Sequence, residues 1–296
     1  MPTLTVFTPT YNRAYILPKC YDSMKRQSCK DFIWLVVDDG STDNTKELVE
    51  NWKLEDNGFE IRYVYQENQG MHGAHNLAYE NIDTQINTCI DSDDYMPDEA
   101  VEKITAFWNS CEKDEKISGF LALDAYESGE IIGTVFPENV KCATSYDYYY
   151  KFGVKGDKKF ILRSDLTKAN PYPVFKGEKY VNLATKYSLL DINYKLLNIN
   201  EIVCIVEYLA DGSTLNMFRQ YLKNPNGFAY SRRLCMDLPF ADFGFSFRQA
   251  IHYISSCIIS KNCNWLKESP RKGLTMLAAP LGILLWCYII FLNRRK

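Results

Sequence analysis

The stretch "FIWLVVDDGSTDNT", Phe32–Thr45, joins an apolar run to a polar turn and the start of a helix. Six consecutive apolar residues, Phe32–Val37, are typical of a strand that is covered on both faces of a sheet. The strand delivers Asp38 and Asp39 to the turn, and Asp43 begins a segment with apolar residues at helical spacing. This strand–turn–helix unit predicts an α/β fold with a parallel sheet.

The same unit recurs through the first 112 residues. Further strands are predicted at "LTVFT", "IRYVY" and "INTCI", and each is followed by a segment with helical periodicity. Strand–helix alternation predicts a doubly wound, Rossmann-like sheet with helices on both faces, and such sheets bind ligands at the carboxyl ends of their strands. The sequence places polar, turn-forming residues after all four of these strands.

The alternation of predicted strands and helices changes after residue 117. Runs that favour strands alternate with loops rich in Tyr, Gly and Lys: "ISGFLAL", "EIIGTVF", "KKFILR" and "EIVCIVEYL". We expect this half to complete the same sheet, which would then be mixed. Residues 213–265 are aromatic with helical spacing and predict a helical region that could lie on a membrane surface.

The last apolar segment, Leu274–Leu292, has 19 residues and no charge. This length is close to the roughly 20 residues that a helix needs to span a bilayer. Pro280 and Gly282 interrupt the segment, so an interfacial or re-entrant helix and a buried helix remain alternatives. Basic residues flank both ends and leave the orientation open.

Composition excludes several classes of protein. The net charge is −3, and the absence of a long basic stripe argues against a nucleic-acid binder. The ten cysteines form no CxxC pair, which favours reduced core residues in a cytosolic protein. The N-terminus leads directly into a strand, so we expect no secretory signal.

The acidic stretch "CIDSDDYMPD", Cys89–Asp98, follows the fourth strand. In an extended segment Asp91 and Asp93 would point the same way, with Asp94 opposite. Carboxylates this close repel one another unless a cation neutralises them, and Mg²⁺ prefers one or two carboxylates together with substrate phosphates. A solvated acidic turn is the alternative interpretation.

The pair Asp38-Asp39 also admits two interpretations. An acceptor-only carboxylate at a strand end can take N–H or O–H hydrogens from a base or a ribose. The alternative is a β-turn with a helix cap from Thr42 or Asp43, which does not account for the acidic pair.

Four motifs, "FTPTYNR", "WLVVDDGSTDNT", "QENQGMHGAHNLA" and "CIDSDD", resemble in order and spacing the family 2 glycosyltransferases with the GT-A fold. These are inverting enzymes with nucleotide-sugar donors. A second stretch, "YPVFKGEKYVNLA" through "CIVEYLADGST", is similar to a bacterial subgroup that assembles surface polysaccharides.

The resemblance implies a nucleotide-sugar site and a metal site. Asp91 and Asp93 correspond to the family's DxD pair, which holds Mn²⁺ or Mg²⁺ and the donor, and Asp39 corresponds to the residue that contacts the base, here expected to be uracil. The implied donor-binding residues are Thr8, Pro9, Tyr11, Arg13, Asp39, Gly70, His75, Asn76, Asp91, Ser92 and Asp93.

An inverting transfer also needs a base on the acceptor side. The resemblance makes Glu178, in "FKGEKY", the candidate. The sequence departs from the pattern because Asn182-Leu183-Ala184 stands where the subgroup often has a further acid. The alternative for Glu178 is a turn residue that pairs with Lys176 or Lys179.

These observations predict a GT-A domain at 1–212, divided into a nucleotide-sugar half (1–112) and an acceptor half (113–212). A helical region at 213–270 and an apolar membrane segment at 271–296 follow. The expected function is metal-dependent transfer from a UDP-sugar to a glycan or lipid-linked acceptor at the cytoplasmic face of the cell membrane. A catalytically degenerate binding partner of another glycosyltransferase and a nucleotidyltransferase are the alternatives.

Overall fold

The structure is a computed structural model that describes residues 2–111, 114–207 and 217–294. The chain forms two compact units. The first contains Met1–Pro171 and Asn193–Leu209, and the second contains Tyr172–Ile192 and Ala210–Lys296. The boundary that the sequence predicts at residue 212 lies outside the described residues.

An eight-stranded mixed sheet forms the first unit, with the strand order β3-β2-β1-β4-β7-β5-β8-β6. The strands are β1 (Leu4–Thr10), β2 (Phe32–Asp38), β3 (Glu60–Tyr65), β4 (Ile86–Cys89), β5 (Ile117–Ala125), β6 (Cys142–Ala143), β7 (Lys158–Arg163) and β8 (Lys195–Ile205). The first four strands are parallel, β7 runs antiparallel between β4 and β5, and β8 is parallel to β5. The predicted mixed, doubly wound sheet is confirmed.

One predicted strand does not form. The run "EIIGTVF", Glu130–Phe136, contributes only an isolated bridge between Ile131 and Ala125. Gly133 has φ of +78°, and a Cβ there would lie 2.0 Å from the carbonyl oxygen of Lys155. This left-handed residue bends the chain out of the extended conformation that a strand requires.

Helices cover the sheet of the first unit: α1 (Leu17–Arg26), α2 (Thr45–Trp52), α3 (Met71–Asn81), α4 (Ala100–Ser110) and α5 (Ser164–Ala169). A π-helical turn forms at Asp147–Lys151. The core between α1, α2 and β2 contains a stack of Tyr21, Trp34 and Trp52, in which the rings of Tyr21 and Trp52 lie 4.2 Å apart. The apolar spacing of α1 predicts this face, and Pro18 fits because it lies in the first turn.

Helices dominate the second unit: α6 (Ala184–Leu190), α7 (Met217–Lys223), α8 (Pro225–Met236), α9 (Phe243–Ile259), α10 (Trp265–Glu268) and α11 (Lys272–Arg294). The carboxylate of Asp242 caps α9 by accepting the backbone N–H of Phe245 at 2.7 Å. Helix α11 continues through Pro280 and packs along α9.

The two faces of α11 differ. One face is buried and carries small residues, since Thr275, Ala278 and Gly282 recur at helical spacing. At Gly282 a Cβ would lie 2.6 Å from the Cβ of Ile254, so the glycine permits close approach to α9. The opposite face exposes an apolar stripe, formed by Leu277, Leu281, Leu284, Tyr288 and Phe291. The segment Lys272–Asn293 is long and apolar enough to cross a membrane, a test that core helices of soluble proteins also pass.

Candidate active site

The carboxyl ends of the four parallel strands meet at one edge of the sheet. Strand β1 ends at Thr10, β2 at Asp38, β3 at Tyr65 and β4 at Cys89. The loops that follow carry the motifs that the sequence analysis identifies, and hydrogen bonds connect several of these loops. This edge is therefore the candidate site, as the parallel topology predicts.

The loop after β1 is tied to the loop after β2. Asn12 has a left-handed φ of 53°, and its backbone N–H donates to the Ser41 hydroxyl at 2.9 Å. The Asn12 side-chain oxygen accepts the N–H of Thr42 at 2.7 Å, and Asp43 accepts the N–H of Ala14 at 3.0 Å. These contacts present the ring of Tyr11, which is 48% exposed, at the edge. An exposed ring on a fixed loop can stack on a planar base.

The two aspartates after β2 have different roles. Asp38 builds the turn, since its carboxylate accepts the N–H of Ser41 and the hydroxyl of Tyr63, both at 2.7 Å. Gly40 has φ of +89°, and a Cβ there would lie 2.7 Å from the backbone nitrogen of Asn68. The turn therefore requires a glycine at this position.

Asp39 holds the loop that follows β3. One carboxylate oxygen accepts the side-chain amide of Gln66 at 2.6 Å and the N–H of Gln69 at 2.8 Å. The other oxygen accepts the N–H of Gly70 at 2.8 Å. Asp39 thus fixes the backbone that enters α3, and its contact with a base stays a prediction.

Helix α3 begins at this edge. Gly70 precedes it with a left-handed φ of 84°, and Gly73 lies so close to Gln69 that a Cβ would approach its Cβ to 2.5 Å. Asn76 is half-buried on the second turn. His72 is fully buried, and its ring nitrogens have no hydrogen-bond partner among the described residues. Burial lowers the pKa of His72, so the neutral imidazole is favoured.

Two predicted donor-binding side chains, those of Thr8 and His75, are buried beneath the edge, and their contact with a donor stays a prediction. The Thr8 hydroxyl is fully buried and accepts the indole N–H of Trp34 at 3.0 Å. His75 is 2% exposed, and its ring nitrogens lie 3.1 Å from the Tyr79 hydroxyl and 3.6 Å from the Cys89 sulfur. Strand alternation turns Thr8 into the core, and helical spacing places His75 on the buried face of α3. Pro9 and Ser92 are also buried.

The acidic segment after β4 forms a turn, so the extended geometry considered for Asp91 and Asp93 does not apply. The N–H of Asp94 donates to the carbonyl of Asp91 at 3.0 Å. Asp91 accepts the Cys89 thiol at 3.6 Å, and Asp93 forms an ion pair with Arg13 at 3.2 Å. The turn therefore brings Arg13 of the first motif against Asp93 of the fourth.

The charge at this turn is only partly balanced. Burial raises the pKa of Asp93, the negative charge of Asp91 raises it further, and Arg13 opposes both effects. Asp94 points elsewhere: its carboxylate is buried and accepts the N–H of Glu207 at 3.2 Å and the Cys204 thiol at 3.8 Å. Burial raises the pKa of Asp94 to about 7. Hydrogen bonds to different partners set Asp94 apart from Asp91 and Asp93, although the negative charges of Asp91 and Asp93 also raise its pKa.

A cation would fit Asp91 and Asp93 by chemistry. Within the described ranges no three His, Cys, Asp or Glu residues group as a complete protein metal site. Two carboxylates that leave the remaining positions to phosphates and water are the ligand set that Mg²⁺ and Mn²⁺ accept. The observation that favours such a cation is that two carboxylates share this turn and the ion pair with Arg13 balances their charge only in part.

The sequence analysis missed two charged residues beside this turn. Lys159 on β7 and Asp124 on β5 lie 4.0 Å apart and are almost fully buried. The available signal was a charge next to or within apolar runs, "KKFILR" and "LALDAY", that predict buried strands.

Glu178 lies in the second unit and holds the start of α8. Its carboxylate accepts the backbone N–H of Asn226 at 2.9 Å, the Asn226 side-chain amide at 2.7 Å and the N–H of Gly227 at 2.8 Å. The alternative that sequence analysis gave, pairing with Lys176 or Lys179, is not the interaction observed. A catalytic role for Glu178 stays a prediction.

The N-terminal part of the chain is similar to known glycosyltransferases. The family model described as glycosyl transferase family 2 matches residues 5–115. A Campylobacter jejuni GalNAc(5)-diNAcBac-PP-undecaprenol beta-1,3-glucosyltransferase is 36% identical over 98 residues, 32% of this chain and 31% of that protein. The putative teichuronic acid biosynthesis glycosyltransferase TuaG of Bacillus subtilis is 25% identical over 231 residues, 77% of this chain and 87% of that protein. The chain spans a third or less of the length of the first curated relatives that it matches.

Solved structures share the fold. The S. aureus TarS 1-349 complex with UDP-GlcNAc superimposes with a TM-score of 0.64 at 15% identity, covering 100% of this chain and 92% of that one. The mannosyltransferase PcManGT of Pyrobaculum calidifontis, in complex with GDP-Man and Mn²⁺, superimposes with a TM-score of 0.56 at 16% identity, covering 97% and 87%.

Proposed function

We propose that this chain, whose residues 5–115 belong to glycosyltransferase family 2 and whose sheet has the GT-A fold, transfers a sugar from a nucleotide-sugar donor to a cell-surface glycan precursor. The donor is a UDP-sugar, the acceptor is a glycan or a lipid-linked saccharide, and the reaction inverts the anomeric centre. The observation that carries the proposal is the meeting of the first and fourth motifs, where Arg13 contacts Asp93 at 3.2 Å at the edge where four parallel strands end.

Each loop at this edge has one part in donor binding. The ring of Tyr11 stacks on the base, and Asp39 holds the loop that ends in Gly70 close to the nucleotide. Gly70 and the first turn of α3 offer backbone N–H groups to an anion, which the helix dipole also favours. Asn76 donates to the sugar from the same helix.

The diphosphate is the part of the donor that needs a cation. Asp91 and Asp93 would hold Mn²⁺ or Mg²⁺, which stabilises the charge that develops on the departing nucleoside diphosphate. Arg13 then keeps Asp93 in place and adds positive charge beside the phosphates.

The acceptor chemistry is supported by the relatives, whose names refer to an undecaprenol-linked saccharide and to teichuronic acid. Glu178 is the proposed base that takes the proton from the acceptor hydroxyl.

The membrane is the proposed location, at its cytoplasmic face, and α11 is the proposed contact. Helix α11 packs along α9, which carries the polar residues Gln249, Ser255 and Ser256 and an exposed Arg248. A spanning α11 would draw these groups into hydrocarbon, where unpaired polar groups are costly. We therefore propose that α11 lies in the membrane interface with its apolar stripe inward.

Turnover tests the proposal. Purified full-length protein is incubated with a panel of UDP-sugars, Mn²⁺ and a lipid extract, and release of UDP is measured. We expect UDP release with one of the UDP-sugars, and a loss of more than about 100-fold in kcat for Glu178→Gln with unchanged affinity for UDP.

Two outcomes would contradict parts of this account. Equal turnover by Glu178→Gln and wild type would limit Glu178 to capping α8. UDP binding without turnover on any donor would favour the second candidate, a degenerate protein that binds a partner glycosyltransferase. The observation in favour of that candidate is that donors from α8 already engage both oxygens of Glu178.

A further inference from the structure

Three neighbouring strands bring buried polar groups to the back of the acidic turn. Lys159 lies on β7, Asp124 on β5 and Cys204 on β8. The pairing of Thr88 with Ile161 between β4 and β7, extended by two residues, places Lys159 opposite Ile90, immediately before Asp91. On the other side of β5, Asp124 pairs with Cys204.

The contacts connect these groups to the turn. The Lys159 ammonium lies 4.0 Å from the Asp124 carboxylate, and their side chains are 13% and 3% exposed. The nearer oxygen of Asp124 accepts no hydrogen bond from any described residue, and Lys159 balances its charge more than Lys158 does. Cys204 donates its thiol to Asp94 at 3.8 Å, and so links the pair to the turn.

Electrostatics agree with this geometry. Burial opposes the charge of Lys159, yet Asp124, together with Cys204, Asp94 and Asp91, raises its pKa well above the ordinary value of a lysine. Burial raises the pKa of Asp124 to about 6, and the positive charge of Lys159 opposes this shift. A buried charge is tolerated when it is paired, and Lys159 interacts electrostatically with several carboxylates at once.

We propose that Lys159, held in place by Asp124, is a positioning residue that supplies a fixed positive charge behind the acidic turn and sets its affinity for a divalent cation. The inference rests on the proposed function, in which Asp91 and Asp93 hold that cation. Lys159 stabilises the clustered carboxylates while no cation is bound, and Asp124 prevents Lys159 from pairing with Asp91 and occupying the cation's place.

The proposal predicts opposite effects for the two partners. Lys159→Met removes a charge that repels the cation, so Mn²⁺ binds more tightly, by roughly 3- to 10-fold for a charge several ångströms away. Asp124→Asn releases Lys159 towards Asp91 and Asp94, so Mn²⁺ binds more weakly by a similar factor. Lys159→Arg keeps the charge and retains an affinity near that of wild type.

The test is a titration of the full-length protein with Mn²⁺, with free Mn²⁺ read by electron paramagnetic resonance. Lys158→Met is the matched control, because Lys158 is a buried lysine next in the chain whose ammonium donates to the carbonyls of Ile132 and Lys155 at 2.7 and 2.8 Å. Tighter binding by Lys159→Met, weaker binding by Asp124→Asn and a smaller change in Lys158→Met than in Lys159→Met support the proposal, because Lys158 acts on Asp124 less than Lys159 does. Shifts of the same sign in both partner variants, or no shift, would overturn it.

A second measurement does not need the metal. In EDTA, thermal unfolding is compared for Lys159→Met, Asp94→Asn and the double variant. We expect Asp94→Asn to recover part of the melting temperature that Lys159→Met loses, because it removes one of the carboxylates left unbalanced. Additive effects would overturn the positioning role. If wild type binds no Mn²⁺, the metal in the proposed function fails, while this cycle still decides whether Lys159 balances the turn.

Discussion

The roles of single residues could be predicted from the sequence only in part, as Asp39 and Lys159 illustrate. Asp39 lies in a strand–turn–helix pattern, and the parallel topology alone places it at the edge. Its partners, Gln69 and Gly70, come from a loop 30 residues away, and only the structure identifies them. Lys159 was missed because its meaning depends on cross-strand register, which the sequence of one strand does not determine.

Lys186 gives a prediction for pH at the same scale. It lies 2% exposed on α6, and burial lowers its pKa to about 7, although its ammonium lies 4.5 Å from the ring centre of Tyr172. An unfolded lysine titrates near 10.4, so between pH 7 and pH 10 the unfolded chain binds more protons than the folded one. Stability should therefore rise with pH in this window, by up to about 1.4 kcal/mol per unit.

Urea unfolding of wild type and Lys186→Met at pH 7, 8 and 9 measures this contribution. We expect the stability of Lys186→Met relative to wild type to fall as pH rises. The exposed Lys223 provides the control, Lys223→Met, which should follow wild type. Parallel pH curves for wild type and Lys186→Met would contradict the assignment.

At the scale of elements, the periodicity of the apolar residues predicts most of the sheet and the helices that cover it. The exception "EIIGTVF" has strand-like residues, but its glycine, Gly133, adopts a left-handed conformation that pattern alone does not reveal. The sequence left open whether Asp91–Asp94 is a turn or extended, because three acidic residues specify no backbone hydrogen bond. The contact between Glu178 and the start of α8 was not foreseen, because the two lie more than 40 residues apart in the sequence.

The packing of α11 on α9 gives a prediction for two glycines in one helix. A Cβ at Gly282 would lie 2.6 Å from Ile254 and 3.0 Å from the carbonyl of Ile251, whereas Gly273 has open space. We expect Gly282→Ala to destabilise the protein by about 1–3 kcal/mol through overpacking. Gly273→Ala should be neutral or stabilising by up to about 1 kcal/mol through helix propensity. Thermal unfolding of both variants measures the difference, and equal shifts would show that α11 does not approach α9 closely.

At the scale of the whole molecule, the sequence predicts the fold class and the membrane-seeking character of the last helix. It left open whether that helix spans the bilayer, lies on it or is buried in a soluble domain, because length and hydropathy fit all three. The division into two compact units was not predicted, since Tyr172–Ile192 separates from its neighbours in sequence and groups with the C-terminal helices.

Vesicle flotation tests the membrane contact of α11. Replacing Leu277, Leu284 and Tyr288 by glutamine should abolish flotation with vesicles that contain anionic phosphatidylglycerol, because these side chains are 52–63% exposed on the apolar stripe. The control replaces the exposed Leu54 and Val174 by glutamine and should float like wild type. Alkaline carbonate should release the wild-type protein from the vesicles. Resistance to release would indicate a spanning helix instead.

The most direct test of the central claim is calorimetric titration of the full-length protein with UDP, with Mn²⁺ and with EDTA. The account predicts metal-dependent binding, which Asp93→Asn and Asp91→Asn each reduce by at least about 10-fold because one of two carboxylate ligands is lost. The control is Asp98→Asn, a carboxylate from the same stretch that pairs with Arg26 at the surface and should bind UDP like wild type. UDP binding that persists undiminished in EDTA and in both variants would contradict the assignment of this edge as a nucleotide-diphosphate site.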